Sequence, residues 1–290
     1  MTTPDQHIPI RRARLEDAPE CGRICHAAFH AISTAHGFPP DIPSVEIAAE
    51  FLKILFGHPQ FHCLVAEAAG AILGSNCLDE RNPIAGIGPI TVDPRSQNKT
   101  VGRALMQAVM DRCAEKKFAG VRLVQAAFHN RSLSLYAKLG FAVREPLACV
   151  QGTAPREPLP GYKVRAARME DAAACDALCV RVHGHDRGGE LRDGIAHGMA
   201  LVAERDGQIT AYSPVMGFFG HAVAEDNSAL KALIASVPTF AGPGILIPSR
   251  NADLFRWCLE SGLRVVQPMT LMSVGMYNEP AGAWFASVTY

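Results

Sequence analysis

Residues 10–25 (IRRARLEDAPECGRIC) return 154 positions later as residues 164–179 (VRAARMEDAAACDALC), identical at eight of sixteen positions. The shared positions include Arg11/Arg165, Arg14/Arg168, Glu16/Glu170, Asp17/Asp171, Cys21/Cys175 and Cys25/Cys179. Two further echoes follow in the same order. Residues 64–72 (LVAEAAGAI) match 201–209 (LVAERDGQI), and 130–140 (NRSLSLYAKLG) match 251–262 (NADLFRWCLESG) more faintly. Collinear echoes at long spacing mark a repeated structural unit. The chain of 290 residues is also about twice the size of a usual domain, so it reads as two copies of one fold. Between them, residues 151–162 (QGTAPREPLPGY) hold three prolines. Proline lacks a backbone donor and forces the preceding residue extended, so this stretch is a linker. The expected domains are 1–150 and 163–290.

Hydrophobic patterning orders the first copy. Residues 8–14 read as a strand. Leu15, Glu16 and Asp17 then open a helix, acidic at its positive end, with Cys21, Ile24, Cys25 and Phe29 at helical spacing. After a break at 37–44, a helix at 45–56 follows, then strands at 61–67 and 71–78 joined by Ala69-Gly70. A strand at 84–92 ends at Asp93-Pro94, and 100–117 is an amphipathic helix. Residues 121–128 form a buried strand, 133–139 a short helix stopped by Gly140, and 141–150 a last strand. The order is β-α-α-β-β-β-α-β-α-β, an α/β pattern. The final run, 283–290 (AWFASVTY), reads as a strand that extends or bridges a sheet.

The chemistry centres on residues 92–105 (VDPRSQNKTVGRAL), where a strand ends, a polar loop follows and a helix begins. The first N–H groups of a helix lack internal partners and sit at the positive end of its dipole, which makes a ready pyrophosphate site. There is no GxxxxGK[ST] and no GxGxxG, so Walker and dinucleotide sites are set aside. The element order, the loop Gln97-Asn98-Lys99-Thr100-Val101-Gly102 and the block 129–141 (HNRSLSLYAKLGF) together resemble the GNAT superfamily of acyl-coenzyme A-dependent N-acetyltransferases. That family's loop reads Q/R-x-x-G-x-G/A. Gln97 and Gly102 match it. Thr100 stands where glycine is usual, which implies either an ordinary φ/ψ there or a hydroxyl that adds a phosphate contact. The resemblance covers 10–150 well and rests on the repeat beyond 164. It implies an α/β chain of two GNAT-like domains, each a mixed, splayed β-sheet flanked by helices, with the C-terminal copy degenerate.

Carried over by position, the resemblance implies that Ile90, Thr91 and Val92 hold a pantetheine arm by strand-like backbone hydrogen bonds. Gln97, Asn98, Lys99, Thr100, Val101, Gly102 and Arg103 would form the pyrophosphate cradle. The family's pantetheine-touching Asn lies seven residues before its Tyr; His129 holds that place here and Asn130 follows, so both are candidates. Tyr136 is the implied general acid, a phenol able to protonate a departing thiolate, and its alternative is a core residue of a short helix. The Val92 N–H would meet the oxyanion. Many members carry a Glu in the strand before the loop, but 84–92 (IAGIGPITV) holds no carboxylate. Asp79 and Glu80 are then the candidate bases, directly or through water, with His129 as a third; a solvated turn or a capping histidine is the plainer reading of each. The segment 31–47 would wall the acceptor site, with His36 and Phe38 in it and Asp41 or Glu46 drawing an ammonium.

In the second copy the corresponding loop, 220–230 (GHAVAEDNSAL), lacks the motif. Glu225 and Asp226 would repel a diphosphate, and Trp257 stands where Tyr136 stands. This copy is expected to have lost cofactor and chemistry and to complete and stabilise the first.

Lys plus Arg and Asp plus Glu both number 28, a formal net charge of zero. That argues against a nucleic-acid clamp and a polybasic membrane anchor, and no apolar run approaches the roughly 20 residues of a membrane span. The first nine residues are polar, so no signal peptide is expected. Nine cysteines, an odd number, fit reduced thiols in the cytoplasm. Cys21, Cys25, His26, His30 and His36 tempt a metal reading, but consecutive helix positions turn about 100° apart, and no metal is expected. The expected reaction is transfer from acetyl-coenzyme A, as co-substrate, to a small-molecule amine or an amino terminus by direct attack in a ternary complex. A homodimer is left open, and the rival reading is a non-catalytic acyl-coenzyme A-binding regulatory module.

Overall fold

The computed structural model describes residues 8–97, 100–153 and 158–289. The first copy runs β1 (Ile10–Arg12), α1 (Ala18–Ala35), α2 (Val45–Gly57), β2 (Phe61–Ala68), β3 (Ala71–Asp79), β4 (Ile84–Val92), α3 (Val101–Lys116), β5 (Gly120–Ala126), α4 (Asn130–Lys138) and β6 (Ala142–Gln151). The second runs β7 (Lys163–Ala166), α5 (Ala172–His183), α6 (Gly188–Ala196), β8 (Leu201–Arg205), β9 (Gln208–Ser213), β10 (Ala222–Ala224), α7 (Asn227–Ala235), β11 (Ile245–Pro248), α8 (Ala252–Glu260) and β12 (Arg264–Gly275), and then adds β13 (Ala283–Phe285). Element for element the copies agree, in the order the patterning predicts.

The strongest sequence echo has a structural cause. Arg11, on β1, donates to both Asp17 oxygens at 2.7 and 2.9 Å and to Glu67 of β2 at 2.7 Å. Arg165, on β7, does the same with Asp171 at 2.6 and 2.8 Å and with Glu204 of β8 at 2.8 Å. Asp17 also accepts the Arg14 N–H, and Asp171 the Arg168 N–H, each at 2.7 Å. A bidentate guanidinium–carboxylate pair is directional, so it sets the angle at which the first strand turns into the helix. The repeated cysteines have a plainer role: Cys21, Cys25, Cys175 and Cys179 are all fully buried and pack the helices onto their sheets.

One compact unit comprises Met1–Glu80 and Ile87–Phe118. In it β1, β2 and β3 pair antiparallel, and α1 and α2 cover them over a core that includes Cys25, Leu52, Cys63 and Val65. Gly22 lets those helices touch, since a Cβ there would lie 2.5 Å from the Ala49 Cα. The second unit comprises Arg81–Gly86 and Ala119–Tyr290. In it β4 pairs parallel with β5 over residues 84–86 and 120–122, three of the nine residues of β4, while the other pairings are antiparallel. This is a mixed, splayed sheet.

The sixth strands are exchanged. The order is β5-β12-β6-β11. Thus β12, the last repeated strand of the second copy, pairs with β5 of the first, and β6 of the first pairs with β11 of the second. The compact units therefore cut across the sequence copies. The remaining strands of the second unit form a sheet ordered β13-β10-β9-β8-β7. The C-terminal strand is shorter than the run 283–290 suggests: it ends at Phe285, and Ala286 then donates its N–H to Leu246 of β11 at 3.0 Å. The segment thus has β10 on one side and β11 on the other, so the expectation of a bridging strand is met by its first four residues.

Candidate active site

The first unit holds the loop and the start of α3. Gly74, on β3, lies hard against the end of β4: a Cβ there would come within 2.3 Å of the Thr91 carbonyl oxygen. Thr91 is buried with its Oγ1 3.3 Å from Ser75 Oγ, and the Asp93 N–H donates to the Leu73 carbonyl at 2.9 Å. Ile90 and Val92 are half-buried, and Gln97 Nε2 donates to the Val92 carbonyl at 3.3 Å. Asp93, 3% exposed, ties the loop down. Its carboxylate accepts from the Arg95 N–H at 2.9 Å, the Arg95 guanidinium at 2.7 Å and Arg23 of α1 at 3.1 Å. The Arg95 hydrogen bond, with Arg23 helping, outweighs burial and holds this carboxyl well below the usual range. Sequence reasoning misses this network; its only signal is an Asp-Pro step with Arg next.

Thr100 is the N-cap of α3 and has φ +65°. The structure thus does not have the ordinary backbone that threonine suggests there; the residue takes the left-handed conformation glycine usually supplies, which costs a β-branched residue about 1–2 kcal/mol. Its side chain makes no cap hydrogen bond, so the amides of Val101, Gly102 and Arg103 receive none from it. Asn98 and Lys99 lie outside the described residues. At the matching helix of the second copy, Asp226 Oδ1 accepts the Ala229 N–H at 2.8 Å, and Glu225 pairs with Arg181 at 2.9 Å. A carboxylate already occupies the helix end there.

The second unit holds the other candidates. His129 is the N-cap of α4, its Nδ1 accepting the Ser132 N–H at 3.1 Å. That lone pair is committed to the cap, and protonating it would break the cap. Asn130 is exposed, and its carbonyl accepts from the Ser134 hydroxyl at 2.8 Å. Tyr136 is 6% exposed; burial pushes its phenol up to about 12, against a weaker opposing hydrogen bond from Ser132. In the second copy the N-cap of α8 is Asn251, and Gly262 (φ +90°) follows that helix as Gly140 (φ +92°) follows α4. The Phe141 N–H reaches the Tyr136 carbonyl at 3.0 Å, and the Leu263 N–H reaches the Cys258 carbonyl at 3.0 Å. The residue in the place of Tyr136 is therefore Cys258, and Trp257 matches Leu135. The sequence echo aligns one residue off because it matches Asn130 to a capping asparagine.

Asp79 is 4% exposed at the end of β3. Glu80 is held by Arg112 at 2.8 and 3.2 Å; burial opposes its ionisation, but the Arg112 pair wins and lowers its pKa, which makes it a weak base. His36 caps α1, with Nδ1 3.0 Å from the Ile32 carbonyl, and is exposed. Phe38 and Asp41 are half-buried in the connection to α2. All of these, with the loop, belong to the first unit, whereas His129, Asn130 and Tyr136 belong to the second. Burial raises the Cys25 and Cys113 thiols to about 12, which suits packing rather than nucleophilic attack. Among the described residues no group of three or more His, Cys, Asp or Glu is placed to hold a metal ion, and no helix is long and apolar enough to cross a membrane.

Residues 27–141 match the profile of the acetyltransferase (GNAT) family. Solved structures share the fold over nearly the whole chain. A candidate acetyltransferase from Pyrococcus horikoshii is 19% identical with a TM-score of 0.72, covering 96% of this chain and 94% of its own. A GCN5-related N-acetyltransferase from Sphaerobacter thermophilus is 17% identical with a TM-score of 0.65, covering 96% and 98%. A tandem GNAT protein of the clavulanic acid biosynthesis pathway is 14% identical with a TM-score of 0.54, covering 93% and 98%. No curated protein sequence is significantly similar to this one.

Proposed function

We propose, from the premise that residues 27–141 form an acetyltransferase domain of the GNAT family, that the chain is an acetyl-coenzyme A-dependent N-acetyltransferase acting on a small-molecule amine or an amino terminus. Its domains are read as 1–150, catalytic; 151–162, linker; and 163–290, degenerate. The observation that carries this reading is the start of α3, where the N-cap residue Thr100 makes no side-chain cap hydrogen bond, next to the Asp226 cap that closes the corresponding end of α7. A diphosphate fits the first and is repelled by the second. Gln97, Thr100, Val101, Gly102 and Arg103 would hold it, with Asn98 and Lys99 in the same loop, and Ile90, Thr91 and Val92 would pair with the pantetheine arm.

Acetyl-coenzyme A supplies an activated acyl carbon and a thiolate leaving group. Tyr136 keeps its proton across the physiological range because its phenol stands near 12. Held in that form, the phenol can deliver its proton to the departing thiolate. The Val92 N–H meets the oxyanion. Of the candidate bases, Asp79 is favoured over Glu80, which Arg112 holds, and over His129, which caps α4. His36, Phe38 and Asp41 are read as the acceptor wall.

The test is free-thiol release across a panel of primary amines, run beside calorimetry with acetyl-coenzyme A. Turnover that falls in Tyr136→Phe with binding unchanged supports the reading. Binding with no turnover of any amine would favour a regulatory acyl-coenzyme A-binding module.

A further inference from the structure

A second set of polar groups lies within the second unit, and acetyl transfer as proposed makes no use of it. Arg122, on β5 and 2% exposed, is in register with Gly86, the last of the three paired positions of β4. Its guanidinium carbon lies 5.1 Å from the centre of the Tyr277 ring, and that of Arg144 lies 5.0 Å from the same ring. His183 and His185, 3% and 6% exposed, have rings 5.9 Å apart, and His183 stands edge-on to Trp284 at 5.5 Å. The Nδ1 of His183 and the hydroxyl of Tyr277 are buried polar atoms with no hydrogen-bond partner among the described residues. Native proteins rarely leave such atoms unmatched, and a bound polar group is the usual way to satisfy them.

The field here is positive. Burial first, and then Arg187 and Arg122, drive His183 well below its ordinary pKa; burial and the same two arginines bring His185 to about 4. Two buried carboxylates of this unit have partners of their own: Glu190 takes the Arg187 guanidinium at 2.6 Å and the neutral His221 ring at 2.8 Å, and Glu145 takes Arg250 at 3.0 Å. Neutral imidazoles and a phenol can donate hydrogen bonds to an anion, and a guanidinium fork suits a planar one.

We propose that Arg122, His183 and Tyr277 bind a carboxylate carried by the acceptor, so that the substrate is an amine that also bears an acid group. This specificity rests on the acetyl-transfer reading; the binding of the anion does not.

The experiment has two arms on the full chain. In the first, primary amines ending in a carboxylate are compared with their amide-capped analogues at saturating acetyl-coenzyme A. The wild type should favour the carboxylates by about 30-fold in kcat/KM, within the range for hydrogen bonds to charged groups. Arg122→Met should erase that preference without changing the KM for acetyl-coenzyme A, and Tyr277→Phe, which keeps the ring, should weaken it several-fold. Equal use of both series, or a preference that survives Arg122→Met, overturns the proposal. The second arm measures thermal stabilisation by propionate and by inorganic phosphate without acetyl-coenzyme A. Stabilisation by propionate that Tyr277→Phe weakens supports the site even if no amine is turned over, so the two readings fail separately. No shift with propionate, or a shift with phosphate alone, overturns the carboxylate assignment.

Discussion

Helices α3 and α7 begin at the same place in the two copies and treat their first amides in opposite ways. At α3 a left-handed Thr100 leads in and provides no side-chain acceptor, whereas at α7 Asp226 places a carboxylate on the Ala229 amide. The strands beside them differ in the same sense. Next to β10 and β11 the segment beginning at Ala283 is hydrogen-bonded to both, through the β10 ladder and the Ala286–Leu246 bridge. The second copy has thus matched with its own residues the polar groups that the first is proposed to offer to a cofactor. The two copies share one scaffold, and under the proposed function a single acid and one extra strand are what set the second apart.

The comparison is broken most directly at the two matching helix positions. Tyr136→Phe should lower kcat by about 10²- to 10⁴-fold with little change in the KM for acetyl-coenzyme A, while Cys258→Ser leaves kcat unchanged. Steady-state kinetics on both variants decides it, and equal effects would end the assignment of roles. Phe285→Ala should cost about 3–5 kcal/mol in denaturant unfolding, as for other fully buried aromatic residues. A cost near zero would mean that the segment beside β10 and β11 is not a structural filler.

The pairs that repeat, Arg11–Asp17 and Arg165–Asp171, give a symmetric test. The arginine hydrogen bonds lower both aspartate pKa values. Their stabilisation is therefore complete above the unfolded value of about 4 and is lost as pH falls through the folded values. Asp17→Asn and Asp171→Asn should each flatten the acid limb of a stability–pH curve, and by similar amounts. Asp226→Ala should cost about 1 kcal/mol through its lost cap, with Asp226→Asn restoring it. The smallest effect is expected for Thr100→Gly, a gain of at most about 1 kcal/mol as the left-handed strain is relieved, read as a rise in Tm with binding of acetyl-coenzyme A retained.

The element order and the duplication were legible because each depends on local signals: hydrophobic period, and an Arg–Asp pair whose members lie six residues apart. Other features were not legible, one because its partner is distant in sequence and two because an unexpected residue does a familiar local job. The Arg112–Glu80 pair that weakens a candidate base spans 32 positions. The threonine at position 100 concealed a left-handed turn that a glycine would have announced. The helix match at Tyr136 slipped by one residue because a histidine caps α4 where an asparagine caps α8, two side chains that accept the same hydrogen bond.

The interleaved order β5-β12-β6-β11 has a consequence for how the protein is made. During synthesis β5 can pair with β4 at once but gains its second native neighbour, β12, only after residue 275 has left the ribosome, so the earlier half must wait with an open flank. Any version cut at the linker leaves both pieces with a raw edge, and each is expected to be recovered in soluble form only when the other is made beside it.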